Sequence, residues 1–101
     1  MKIDKILSFQ DFSKEGPVKT DILKSEKFNI VLVCLEANQE IVSHPEPYAV
    51  FFLVLRGRGL FTKDQEGFEL EENSSIFIKK NEPRGIKALE RLIILGVQDG
   101  H

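Results

Sequence analysis

The most constraining feature of this chain is its cadence. From Val18 to Gln98, short apolar or alternating runs are cut by turn-forming residues every eight to twelve positions, with no repeat and no low-complexity tract. That spacing is the mark of a β-sandwich or β-barrel. The clearest strands are Phe28 to Glu36 (FNIVLVCLE), Tyr48 to Leu55 (YAVFFLVL), Ser75 to Lys79 (SIFIK) and Arg91 to Val97 (RLIILGV), all rich in β-branched and aromatic residues. Weaker strands are expected over Lys19 to Lys24, Glu40 to Ser43, Gly59 to Lys63, Gly67 to Leu70 and Ile86 to Leu89. The segments between them, among them Ala37-Asn38-Gln39, Glu72-Asn73-Ser74 and Asn81-Glu82-Pro83-Arg84-Gly85, hold residues that tolerate turn geometry.

At 101 residues the chain is long enough for one packed core and too short for two. We read residues 1–17 as an N-terminal arm, 18–98 as the all-β barrel and 99–101 as a tail ending in a mobile His101. The arm carries Ile3, Ile6, Leu7, Phe9 and Phe12, which suit a short helix or an extended segment, and Gly16-Pro17 closes it off. In Tyr48 to Leu55 the alternation puts Ala49, Phe51, Leu53 and Leu55 on one face and Val50, Phe52 and Val54 on the other. Both faces are apolar. One can line the interior, so the other needs cover, either from a second layer of the same chain, as in an ordinary two-layer sandwich, or from a partner chain, for which a homodimer is expected.

Charge narrows the partners. The formal net charge is −2, with acids and bases mixed along the chain, so no basic stripe exists to follow a phosphate backbone and nucleic acid is not expected as a partner. Nor does any run approach membrane-spanning length, and charges interrupt the N-terminal stretch Met1 to Leu7, so neither a membrane span nor a signal peptide is expected. The single cysteine, Cys34, lies in an apolar run and reads as a small core residue in a protein of the reducing cytoplasm.

Over residues 28–98 the sequence resembles the cupins, the jelly-roll or double-stranded β-helix superfamily. The first cupin motif, GxxxxxHxHxxxExxxxxxG, lies without insertion from Asn38 to Gly57: His44 takes the first histidine position, Glu46 the second, Val50 the glutamate and Gly57 the closing glycine. The second, GxxxxxPxGxxHxxxN, lies from Asn73 to Ala88, with Lys79 at the proline, Asn81 at the inner glycine and Arg84 at the histidine. Asparagine for glycine at Asn38, Asn73 and Asn81 is mild, because asparagine accepts positive φ at a tight turn. The other replacements change the site. The resemblance implies three histidines and a glutamate as metal ligands, and only His44 keeps its type, while Val50 cannot ligate and Arg84 brings a permanent positive charge. We therefore expect no metal and no other cofactor; were a metal bound, His44 and Glu46 would hold it.

In this frame His44, Glu46, Val50, Phe52, Arg84 and Ile86 point into the barrel near its mouth and form a mixed ligand pocket. A guanidinium buried alone is costly, so Arg84 should reach solvent, pair with an acid or hold an anionic ligand. We expect an ion pair with Glu46, with His44 alongside. His44, between Ser43 and Pro45, reads equally well as a plain strand-edge residue, and Arg56, Arg58, Lys79 and Lys80 read as solvated loop residues. Three functions follow: a metal-free binding or sensing module for a small ligand, anionic where Arg84 holds it; an enzyme using His44 and Glu46, as the resemblance to cupin isomerases, epimerases and dioxygenases permits; or a structural dimer with its pocket filled by side chains.

Overall fold

The computed structural model describes residues 1–101, and nine strands plus one short 3-10 segment account for its regular structure. After the 3-10 turn Ile6–Phe9 come β1 (Val18–Lys24), β2 (Phe28–Leu35), β3 (Glu40–His44), β4 (Val50–Arg56), β5 (Gly59–Lys63), β6 (Glu66–Leu70), β7 (Ser75–Ile78), β8 (Arg84–Ala88) and β9 (Leu92–Asp99). All nine correspond to runs expected from the sequence. The boundaries differ most at two places: β4 starts at Val50 rather than Tyr48, and β8 starts at Arg84, inside the segment read as a turn.

The strands form two antiparallel sheets, one in the order β1-β2-β9-β4-β7 and the other in the order β3-β8-β5-β6. Alternation delivers one face of each to a shared core. Val31, Val33 and Leu35 of β2, Leu92 and Ile94 of β9, Val50, Phe52 and Val54 of β4 and Ile78 of β7 meet Phe61 of β5 and Ile86 and Ala88 of β8. The turns follow residue chemistry: Asn38, Asn73 and Asn81 adopt φ of 73°, 71° and 65°, and Gly57 adopts 82°. These are the four positions aligned with motif glycines, so the asparagines do the conformational work of glycine. At Gly57 no substitute would serve, since a Cβ would stand 2.0 Å from the Arg91 carbonyl oxygen.

The outer face of the five-stranded sheet gets its second layer from the chain itself. Ile6, Leu7, Phe9 and Phe12 of the arm pack on Leu32, Cys34 and Ile93. Two polar ties hold the arm there: Gln39 donates from Nε2 to the Ser13 carbonyl (2.6 Å), and the Arg91 guanidinium lies 3.6 Å from the Phe12 ring centroid. Cys34 is buried and unpaired, and burial pushes its thiol above the ordinary value. The cover stops short of β7, where Phe51 and Phe77, opposite one another in the ladder, stay exposed. No helix is long and apolar enough to cross a membrane.

Candidate functional site

The two sheets close at one end and part at the other, leaving a cavity of about 510 Å³. Both sheet edges reach it, β1 through Lys19 and β3 through Glu40 and Ile41. Val33, Phe52 and Ile86 form apolar walls, and the polar groups are His44, Glu46, Tyr48, Arg84 and Gln98. This volume lies in the range of small-molecule sites.

Local sequence places each polar group. In β8 the period of two sends Arg84, Ile86 and Ala88 inward, with Arg84 at the open end. His44 reaches the same level through a β-bulge: Ile41 pairs with Ile86 and His44 with Arg84, so β3 spends three steps where β8 spends two. Without the extra residue, Ser43 would face Arg84. Gly85 makes the bulge possible, because a Cβ there would stand 2.7 Å from Thr62 Oγ1 and 3.0 Å from the Ser43 nitrogen. Beyond β3 the chain reads His44-Pro45-Glu46-Pro47-Tyr48, and all three chemically active side chains reach the cavity while the prolines do not.

His44 and Glu46 form a pair. The Val42 carbonyl oxygen lies 2.7 Å from His44 Nδ1, and since a carbonyl only accepts, Nδ1 carries a proton. Nε2 lies 2.7 Å from Glu46 Oε1. A proton sits between these two atoms, supplied by an imidazolium or by a carboxylic acid.

Arg84 is held differently from expectation. The expected Glu46 to Arg84 ion pair is not formed; Glu46 spends its near oxygen on His44. Arg84 instead donates from Nε to the Glu82 carbonyl (3.2 Å) and from Nη2 to the Lys79 carbonyl (3.0 Å). Those oxygens sit on a turn that is itself pinned, the Asn81 amide donating to the Glu46 carbonyl at 2.8 Å and the Lys79 amide to Glu82 Oε1 at 2.9 Å. The remaining nitrogen, Nη1, is buried with no partner, and the whole residue is only 5% exposed. Burial pulls the guanidinium below its ordinary value, while Tyr48, Glu46 and Glu82 act through space in the other direction. Arginine starts so high that it stays charged.

Of the six residues expected at the pocket, His44, Glu46, Phe52, Arg84 and Ile86 line the cavity. Val50 does not; it is packed in the core at 1% exposure. Eight of the 13 lining residues escaped sequence reasoning, and two of them, Tyr48 and Gln98, bring polar groups to the interior. Tyr48 shares the parity of His44, Glu46 and Phe52, which could have found it. Its phenol is raised by burial first and by the Glu46 charge next, so it stays a hydrogen-bond donor, and its ring stacks on the His101 imidazole at 4.1 Å. Gln98 shares the inward face of Leu92, Ile94 and Gly96 on β9. It is 6% exposed, and its side-chain amide faces the cavity without a hydrogen bond to the protein.

A metal fits this constellation poorly. Both ring nitrogens of His44 are already engaged, a guanidinium occupies the place opposite it in the ladder, and no group of three or more His, Cys, Asp or Glu side chains is placed to hold an ion. Divalent sites need more donors than that.

Comparison with known proteins agrees with the architecture. The chain superposes on TT1209 from Thermus thermophilus with a TM-score of 0.92 at 18% identity, covering 99% of this chain and 98% of that one. An RmlC-like cupin from Desulfovibrio desulfuricans gives 0.89 at 24% identity, over 98% and 96% of the two chains. KdgF from a Halomonas species gives 0.83 at 15% identity, over 91% and 84%. Identities this low establish a shared fold and leave the ligand open. No curated protein matches the sequence significantly. The sequence profile of the cupin domain matches residues 31–95, well over half of the chain. With the two-sheet topology and the positive φ at all four motif glycine positions, that match establishes that the chain belongs to the cupin family.

Proposed function

We propose that this cupin is a metal-free, non-catalytic binding or sensing module for a small anionic organic ligand. The observation that carries the reading is Arg84: a cation 5% exposed, without a carboxylate in contact, at the wall of a cavity of ligand size. Two backbone carbonyls orient it but do not neutralise it. Burying an unpaired charge costs several kcal/mol, and an anion in the cavity offsets that cost. Tyr48 adds a neutral donor beside it. A buried, unpaired Cys34 suits a reducing compartment such as the cytoplasm.

Thermal-shift measurements with acetate, lactate and succinate test the reading. At least one should raise the melting temperature of the wild type, since a ligand preferring the native state stabilises it. Arg84→Met should remove that shift while leaving the unliganded protein as stable as before or slightly more so, because replacing an unpaired buried ion by an apolar chain is often neutral. A shift that survives the substitution would take Arg84 out of the site.

One observation favours a second reading, that of an enzyme: His44 and Glu46 share a proton beside the Tyr48 phenol. Such a set can move protons on a bound carboxylate. Incubation of those acids with the protein in heavy water, followed by NMR, separates the readings, since a pure binding module exchanges no carbon-bound hydrogen.

A further inference from the structure

Taking the cavity as an anion site, we infer that its ligand is a monocarboxylate with a short apolar body and a neutral hydroxyl or amide, and that Gln98 reads that neutral group. The inference rests on the anion reading and goes beyond it by counting charges and unpaired donors.

The charge count comes first. Among the cavity residues, Arg84 is the one deeply buried ion. Glu46 is engaged by His44, while Lys19 and Glu40, opposite in sign, sit exposed at the two sheet edges. The interior therefore offers one uncompensated positive charge. A monoanion balances it. A phosphate or dicarboxylate would leave a second negative charge with no cation to balance it.

The neutral count comes next. Gln98 lines the cavity with two N–H donors and a carbonyl acceptor that make no side-chain hydrogen bond to the protein and open to the cavity, the one sealed-off orphan atom being Arg84 Nη1. A ligand that displaces water from this amide must replace its hydrogen bonds or lose affinity. A hydroxyl, which both donates and accepts, or another amide, would complete it. Between Arg84 and Gln98 the walls are Val33, Ile41, Phe52 and Ile86, so the body joining the two ends should be apolar.

The test is an NMR titration of the intact protein with α-hydroxyisovalerate, isovalerate, malate and inorganic phosphate, following the Arg84 Nε–H and Gln98 side-chain signals. α-Hydroxyisovalerate should bind about tenfold more tightly than isovalerate, the worth of one good hydrogen bond, and at least about tenfold more tightly than malate or phosphate. Gln98→Met should erase the preference for the hydroxyl while isovalerate binding persists, and Arg84→Met should abolish binding of both. Malate or phosphate binding as tightly as α-hydroxyisovalerate in the wild type, and lost in Arg84→Met, would overturn the monoanion inference and leave the anion reading intact. A hydroxyl preference that survives Gln98→Met, or one absent from the wild type, would overturn the role of Gln98. Binding of none of the four would overturn the monocarboxylate assignment, and binding indifferent to Arg84→Met would overturn the anion reading beneath it.

Discussion

The two ends of this barrel are built from the same strands and obey opposite rules. At the closed end, Leu35 and Leu92 pair across β2 and β9, Val54 and Ala88 lie nearby, and all four are fully buried with no polar atom among their side chains. At the open end the same strands present Gln98, Arg84 and, through the bulge, His44. The first end stabilises the fold, and the second buries a guanidinium with no carboxylate in contact and one nitrogen, Nη1, without any partner. A purely structural domain has no reason to bear that cost, which is why the open end reads as a binding site.

Perturbing the apolar core behind the cavity should produce the largest effect. Phe61, opposite Ile86 in the ladder, is fully buried and its ring packs at 5.9 Å from that of Phe52, so Phe61→Ala should cost about 3–5 kcal/mol in chemical denaturation and withdraw the support beneath the cavity floor. A cost below about 1 kcal/mol would mean that this core is not the anchor. Gly85 belongs to the open end, next to Arg84 in the cavity wall. Gly85→Ala should destabilise by about 1–3 kcal/mol through overpacking against Thr62 and the Ser43 backbone, and should weaken ligand binding by displacing His44. Unaltered binding would dissociate the bulge from the site.

The smallest effect is purely electrostatic and belongs to the open end. Tyr48 is the only tyrosine and the chain has no tryptophan, so ultraviolet absorbance reports this one phenol. Burial first, and Glu46 next, hold it above its ordinary value of about 10. Its alkaline titration should therefore have a midpoint above that value. Glu46→Gln should lower the midpoint, and Arg84→Met, which removes a positive charge, should raise it further. The sign for stability follows: a group whose folded value exceeds its unfolded one contributes fully below the unfolded value, and the contribution drains away as pH rises through the folded one. A midpoint unmoved by both substitutions would show that the three groups do not sense one another.

The closed end was more legible from sequence than the open one, for a physical reason. Period-two alternation assigns a face to each residue, and a core needs nothing more, so the inward positions of β2, β4, β8 and β9 could be read directly. Asn38, Asn73 and Asn81 were legible too, because few residues tolerate φ near 70°. A polar site depends on reach as well as face. Glu46 and Arg84 both reach the cavity, yet a carboxylate two residues from a histidine in the same extended run finds that histidine first, and the carbonyls of Lys79 and Glu82 claim the guanidinium. No local pattern marks the bulge in β3. Gln98 was recoverable, since β9 carries it in phase with Leu92 and Ile94, but it closes an apolar run and reads as a strand boundary.

The position of β9 between β2 and β4 makes the centre of the sheet depend on pairings distant in sequence. The five-stranded sheet has no centre until residues 92–99 join residues 28–35 and 50–56. Until then the two partner strands have open edges, and the barrel is incomplete. Chains that depend on such distant pairings fold slowly, on the millisecond to second scale, and expose sticky strands meanwhile. The strand that brings Gln98 to the cavity is thus also the one that completes the central sheet, so the cavity wall and the full pairing of β2 and β4 depend on the same eight residues.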